Sequence, residues 1–289
     1  MSLDELPPLR DVIASHDLGA KKSFGQHFLL DLNLTAKIAR LAGDMSQAQA
    51  IEIGPGPGGL TRAILSEGAA SLLAVEMDSR FLGALDEINI ASGGRLTVEQ
   101  ANALDVDETA LLAGSGDKVI LSNLPYNVGT QLLIKWLQAE PIWWRRAVLM
   151  FQREVADRVV AQPGDKAYGR LAVISQSRCQ ADLALKIPAR AFTPPPKVES
   201  AVVVFDPLPE AQQFKDVIAL ERITASAFGQ RRKTLRRSLA QAAGQAGTSA
   251  DALLDVAGLN AGDRAEVIDI AGFQSLALAW RAAYDAGRA

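Results

Sequence analysis

One cysteine and two histidines in 289 residues leave this sequence poor in the side chains that most often carry soft-metal and acid–base chemistry. Cys179 alone permits no internal disulfide and argues against a thiolate metal cluster. His16 and His27 are too few for an ordinary zinc site and are not helically spaced, so no metal is expected. No apolar run approaches the roughly 18 residues that cross a bilayer. Residues 2–8 carry neither a basic start nor an apolar stretch, so a cytoplasmic chain with no membrane partner is expected. There is no signal for an oligomer. The 48% hydrophobic and 22% charged shares are those of an ordinary globular protein, which excludes wholesale disorder.

A net charge of −3 gives no hint of a polyanionic partner, but the placement of charge does. Lys21 and Lys22 are adjacent, Arg145, Arg146, Arg153 and Arg158 follow closely, and Arg231, Arg232, Lys233, Arg236 and Arg237 form a dense cluster. Acids gather elsewhere, as in Asp105, Asp107 and Glu108, and such segregation can give an acidic protein a basic face.

From about residue 50 short apolar runs alternate with amphipathic stretches, the pattern of a mainly parallel sheet covered by helices, an α/β class. Strands are expected over 50–53, 72–76, 95–99, 118–122, 147–151, 183–187 and 201–205. Helical spacing recurs over 60–65 and 132–137, and in Leu34, Ile38 and Leu41, with Asp31 or Asn33 as the cap. Asp206-Pro207-Leu208-Pro209 reads as a linker. Beyond it helical patterns appear near 214–227, 233–243, 250–257 and 273–284. The expected organisation is therefore an α/β domain over 1–207 and a small all-helical domain over 208–289.

Ile51-Glu52-Ile53 runs into Gly54-Pro55-Gly56-Pro57-Gly58-Gly59 and then a helix. The spacing satisfies G-x-G-x-x-G, so a dinucleotide is the first ligand to weigh. Pro55 and Pro57 remove backbone N–H donors that a pyrophosphate would want, which tilts the reading toward a ligand without phosphates. Glu76, ending the next strand, is placed to accept from ribose hydroxyls. Asn102, after the third strand, offers an acceptor for the exocyclic amine of the ligand's adenine.

Asn123-Leu124-Pro125-Tyr126 ends the fourth strand and is the most specific signal. An adenine exocyclic amine is a poor nucleophile because its lone pair is delocalised into the ring. Two acceptors, the Asn123 side-chain oxygen and the Leu124 carbonyl freed by Pro125, would favour a tetrahedral nitrogen and aim the lone pair at a methyl group. Tyr126 offers a ring face for a flipped base. Catalysis of this kind is positioning, with no titrating base.

These residues, with Lys22-Ser23-Phe24-Gly25-Gln26-His27-Phe28-Leu29, Tyr168-Gly169-Arg170-Leu171, Phe192-Thr193-Pro194-Pro195-Pro196-Lys197-Val198 and Arg231-Arg232-Lys233-Thr234-Leu235-Arg236, give the chain a close resemblance to the ribosomal RNA adenine dimethyltransferase family over nearly its whole length. The resemblance implies a Rossmann-like sheet that uses S-adenosylmethionine, followed by a small helical domain that binds RNA. It also implies dimethylation of two adjacent adenosines near the 3′ end of small-subunit rRNA within an immature ribosomal subunit. His27, Leu29, Gly54, Gly56, Glu76, Asn102 and Asn123 would hold the cofactor. Phe192 would sandwich the target base opposite Tyr126, and Arg145, Arg146, Arg231, Arg232, Lys233 and Arg236 would meet rRNA. The family usually carries Asn at the position of His27 and Asp at that of Asn102; Asp105 is not expected to replace the lost charge. The competing readings are a DNA adenine methyltransferase, a sister enzyme of large-subunit rRNA, an assembly checkpoint that chiefly binds the subunit, and a nicotinamide oxidoreductase that leaves Asn123–Tyr126 unexplained.

Overall fold

The computed structural model describes residues 2–20, 26–112 and 116–288. Lys21, Lys22 and the Ser23-Phe24-Gly25 part of the first family motif lie outside the described residues.

The strands are β1 (Phe28–Leu29), β2 (Gln49–Ile53), β3 (Ser71–Glu76), β4 (Leu96–Gln100), β5 (Lys118–Asn123), β6 (Arg146–Gln152), β7 (Cys179–Ile187), β8 (Phe192–Thr193) and β9 (Ser200–Pro207). Seven of them form one sheet in the order β4-β3-β2-β5-β6-β9-β7. β4 to β6 pair in parallel, and β9 returns antiparallel against β6. β2, β3, β5 and β6 are buried along nearly their whole length because both faces are covered, as a parallel sheet requires. Helices α1 (Leu9–Ser15), α2 (Leu32–Ala39), α3 (Gly59–Ser66) and α4 (Leu82–Ala91) supply Val12, Ile38, Ile64, Leu85 and Ile88 to the same core as Ala50, Leu72, Val119, Leu121, Val148 and Val202. Each fully buried large aliphatic side chain contributes about 1.5–3 kcal/mol. Asp31 caps α2 by accepting from the Asn33 and Leu34 backbone N–H groups.

Two expectations shift. β7 begins at Cys179 rather than Leu183, because buried and exposed positions alternate along it and its polar residues hide the start. Asp206 and Pro207 close β9 instead of opening a linker. The β6–β9 register pairs Ala147 with Phe205, which sets Arg146 across from Asp206 in a two-point ion pair at 2.7 and 2.9 Å. Pro207 sits at the strand end, where a missing N–H costs little.

The chain divides into two compact units. The first comprises Met1–Lys135, Ile142–Ala156 and Asp182–Asp206; the second comprises Trp136–Pro141, Asp157–Ala181 and Pro207–Ala289, more than the segment 208–289. The second has its own core, with Tyr168, Leu220, Ile223, Leu235, Leu253, Phe273, Leu276 and Trp280. Two of its buried aromatic side chains have their polar tips satisfied: Tyr168 Oη donates to the Ile268 carbonyl and Trp280 Nε1 to that of Ala242, each at 2.9 Å. The helical pattern over 233–243 resolves into Leu235–Ser238 and Ala240–Gln245.

Candidate active site

The sheet order reverses between β2 and β5, with β3 and β4 on one side and β6 on the other. β2 and β5 pair only through Gln49–Ile51 and Lys118–Ile120. Past that point Ser122 Oγ donates to the Ile53 carbonyl at 2.7 Å, satisfying an acceptor the ladder has released. In open α/β sheets such a switch point is where ligands enter, at the carboxyl ends of the strands. The cavity found there is lined by His27, Leu29, Glu52, Gly54, Gly56, Glu76, Asp78, Asn102 and all of Asn123–Tyr126, among others. Every residue expected to hold the cofactor therefore lies on one surface.

The glycine turn has already spent its donors. Gly54 N–H goes to the Val75 carbonyl, Gly56 N–H to Glu76 Oε2 and Gly58 N–H to the Pro55 carbonyl. Pro55 and Pro57 have none, so residues 54–58 leave no backbone N–H for a pyrophosphate. Gly56 holds a φ of +54°, a conformation that favours glycine. At Gly59 a Cβ would stand 2.4 Å from the Leu29 carbonyl oxygen, and its absence lets β1 close onto the start of α3.

Among the described residues the cavity lining contains the carboxylates Glu52, Glu76 and Asp78 and no lysine or arginine. Glu76 is 6% exposed and accepts from the Gly56 and Asp78 N–H groups at 3.1 and 2.8 Å. Burial pushes its carboxyl above the usual range while these donors pull it back. Glu52 is buried, accepts from Thr61 Oγ1 at 2.7 Å, and is pushed up to about 8 by that burial. Arg80, bonded to Asp78, holds that carboxyl down at about 2. Asp78, kept ionised, gives the lining a negative site that suits a ligand carrying positive charge, and S-adenosylmethionine, with a sulfonium, an ammonium and no phosphate, suits it better than a dinucleotide would.

The amide of Asn123 is oriented by its neighbour: Nδ2 donates to the His27 carbonyl at 3.2 Å, which leaves Oδ1 as the free acceptor. Leu124 is 2% exposed, and its carbonyl accepts no hydrogen bond among the described residues. Tyr126 Oη shares a 2.8 Å hydrogen bond with Ser200 Oγ, and its ring lies 5.7 Å from that of His27. His27 Nδ1 is 2.7 Å from the Pro194 carbonyl; that oxygen can only accept, so Nδ1 carries the proton.

A family model described as ribosomal RNA adenine dimethylase matches residues 18–277. The chain belongs to that family. It is 93% identical to the ribosomal RNA small subunit methyltransferase A of Maricaulis maris (strain MCS10), with both chains covered in full. It is 54% identical to the protein of that name from Ruegeria pomeroyi, over 96% of this chain and 98% of the relative. Among solved structures, a dimethyladenosine transferase from Plasmodium falciparum superposes with a TM-score of 0.74 at 25% identity, covering 89% of this chain and 98% of its own. The 23S rRNA methyltransferase ErmE shares the fold with a TM-score of 0.62 at 23% identity, covering 88% and 99%. The Rossmann-like adenine dimethylase sheet expected from the sequence is the sheet observed.

Other expected site residues lie elsewhere. Phe192 is 2% exposed, paired across from Leu29 and packed in the core, and it is not among the residues lining the cavity. A ring so covered has no free face for a base, so its sandwich role is not supported here. Arg145 and Arg146 stand at the amino end of β6, the far end of the sheet from a dimethylase site built on carboxyl ends. Arg145 is engaged with Asp117 at 3.1 Å and with the carbonyls of Ala42 and Asp44; Arg146 is engaged with Asp206 and the Leu41 carbonyl. Their guanidiniums knit the fold. In the second unit Arg231 pairs with Glu266 at 3.3 Å and Arg236 with Asp251 at 2.7 Å. Arg232, Lys233 and Arg237 are exposed with no ion pair among the described residues. Sequence reasoning gave no role to Glu52, although an acid within an apolar strand is itself a signal, nor to Ser200, which nothing in the sequence marks.

Proposed function

We propose that this chain transfers methyl groups from S-adenosylmethionine to the N6 amines of two adjacent adenosines near the 3′ end of small-subunit rRNA, acting on an immature ribosomal subunit in the cytoplasm. The names of its relatives support the small subunit as substrate, and the glycine turn without a free backbone donor, beside the ionised Asp78, supports the cofactor. The observation that carries the reading is the fixed amide of Asn123 beside the unpaired Leu124 carbonyl.

Bound S-adenosylmethionine supplies a methyl group activated by its sulfonium. The protein supplies position. Asn123 Oδ1 and the Leu124 carbonyl accept hydrogen bonds from the two N6 N–H groups in the first transfer, and one of them from the single remaining N–H in the second, drawing the nitrogen toward a tetrahedral shape with its lone pair out of the ring plane; the proton displaced in each transfer leaves to solvent. Tyr126, steadied by Ser200, offers a face on which the extruded base stacks, a contact worth about 1–3 kcal/mol. Glu76 accepts from ribose hydroxyls, and His27 and Leu29 close the cavity from the amino-terminal segment. Arg232 and Lys233 meet rRNA phosphates, with Arg231 and Arg236 beside them.

Incubating the chain with S-adenosylmethionine and unmethylated small subunits, then digesting the rRNA for mass spectrometry, tests this. Dimethyladenosine at two adjacent positions is expected. Unmodified rRNA would sink the proposal.

A further inference from the structure

The turn that follows β4 holds Asn102 in a way the methyl-transfer reading does not need. Asn102 lines the cavity, yet its amide already has two partners outside the lining. The Leu104 N–H donates to Oδ1 at 3.2 Å, and Nδ2 donates to Asp105 Oδ2 at 2.9 Å. A backbone N–H can only donate and a carboxylate can only accept, so the two ends of the amide cannot be exchanged. The Asp105 N–H closes the turn on the Asn102 carbonyl at 2.9 Å. Lys135 braces the same turn, donating to the carbonyls of Ala103 and Val106 and pairing with buried Glu108 at 2.9 Å.

Held this way, Oδ1 keeps one lone pair and Nδ2 one proton for a ligand. Glu76 and Gln100 are register partners on β3 and β4, so a nucleoside whose ribose reaches Glu76 brings its base about one strand spacing, roughly 5 Å, toward Asn102. The Watson–Crick edge of adenine presents a donor at N6 beside an acceptor at N1. Hypoxanthine presents the reverse, an acceptor at O6 beside a donor at N1. A locked amide matches the first and opposes the second, whereas a freely turning one matches either.

We propose that Asp105 is a positioning residue for cofactor specificity, locking the Asn102 amide so that the cavity selects the adenine edge of its ligand over the hypoxanthine edge. This rests on the S-adenosylmethionine reading of the cavity.

The test is calorimetric binding of S-adenosylhomocysteine and S-inosylhomocysteine to the full chain, which needs no turnover. The wild-type chain is expected to prefer the adenosyl ligand by about tenfold or more, a scale set by one or two hydrogen bonds. Asp105→Ala is expected to reduce the preference to about threefold or less, with inosyl affinity kept or raised as the amide turns. Asp105→Asn, which retains an acceptor, is expected to keep most of it. An unchanged preference in Asp105→Ala would overturn the proposal, and so would an equal loss of both ligands, which marks a purely structural turn. Failure of the wild-type chain to bind S-adenosylhomocysteine at all would overturn the cofactor reading first.

Discussion

Among the described residues, the cavity of the first unit gathers Glu52, Glu76 and Asp78 without a lysine or arginine, whereas the second unit turns Arg232, Lys233 and Arg237 outward without an ion pair. A chain of net charge −3 has thus kept its signs apart. The first arrangement suits a small cation beside the ionised Asp78, with Glu52 kept protonated by its burial. The second suits a polyanion met at an exposed, screened surface, where several cations must act together. Substitutions in the two regions should therefore fail differently: those in the cavity by chemistry or pH dependence, those on the basic surface by salt dependence.

The largest effect is expected at Asn123. Asn123→Ala removes one of two acceptors for the N6 amine and should lower methyl transfer at least about 100-fold. Affinity for S-adenosylhomocysteine, measured by calorimetry, should fall by no more than about threefold. Equal losses would make Asn123 chiefly a cofactor ligand and blur the distinction between positioning the base and holding the cofactor.

Glu52 tests the cavity by pH. In the unfolded chain its carboxyl loses its proton near 4.5, while in the folded chain burial retains it to about 8. Between those values the folded state binds more protons, so this group's contribution to stability is full below about 4.5 and is lost as pH rises toward about 8. The slope from one group is at most about 1.4 kcal/mol per pH unit. Glu52→Gln, which can still accept from Thr61, should flatten the denaturant-midpoint profile across that window. A profile equally steep in both proteins would show that the burial of Glu52 does not set it.

Much of this was legible in the sequence, and the reason differs by residue. Asn123–Tyr126, Gly54–Gly58 and Glu76 declare themselves because glycine, proline and strand-end acids are tied to local backbone geometry that a sequence displays. Arg145 and Arg146 misled because a run of basic residues does not show what stands across the sheet. Asp206 lies on a strand that returns antiparallel, and only the register Ala147–Phe205 brings the pair together. Phe192 misled similarly, since its burial follows from a two-residue pairing with β1. Asp105 reads from the sequence as too far along to replace the charge missing at Asn102, because the bond that joins the two depends on a turn, not on a spacing rule.

The two arginine groups give the smaller effects. Arg232→Ala with Lys233→Ala should weaken small-subunit binding about tenfold and lower the slope of log affinity against log salt by about 0.7–0.9 for each lost phosphate contact. Binding of S-adenosylhomocysteine should not change.

Arg146→Ala is the counterpart and should do the reverse. The Arg146–Asp206 pair is half-exposed, so solvent screens it and its loss should cost only about 1 kcal/mol, read as a drop in denaturant midpoint. Asp206→Asn should give a similar drop, and the double variant should cost less than the sum, because each single change already breaks the one cross-strand pair. The salt slope for subunit binding should match the parent chain, since a guanidinium committed to Asp206 and the Leu41 carbonyl is not releasing counterions from rRNA. A slope reduced by as much as one phosphate contact in the Arg232→Ala, Lys233→Ala variant would return Arg146 to the RNA surface and erase the division between cations that knit the fold and cations that meet a polyanion.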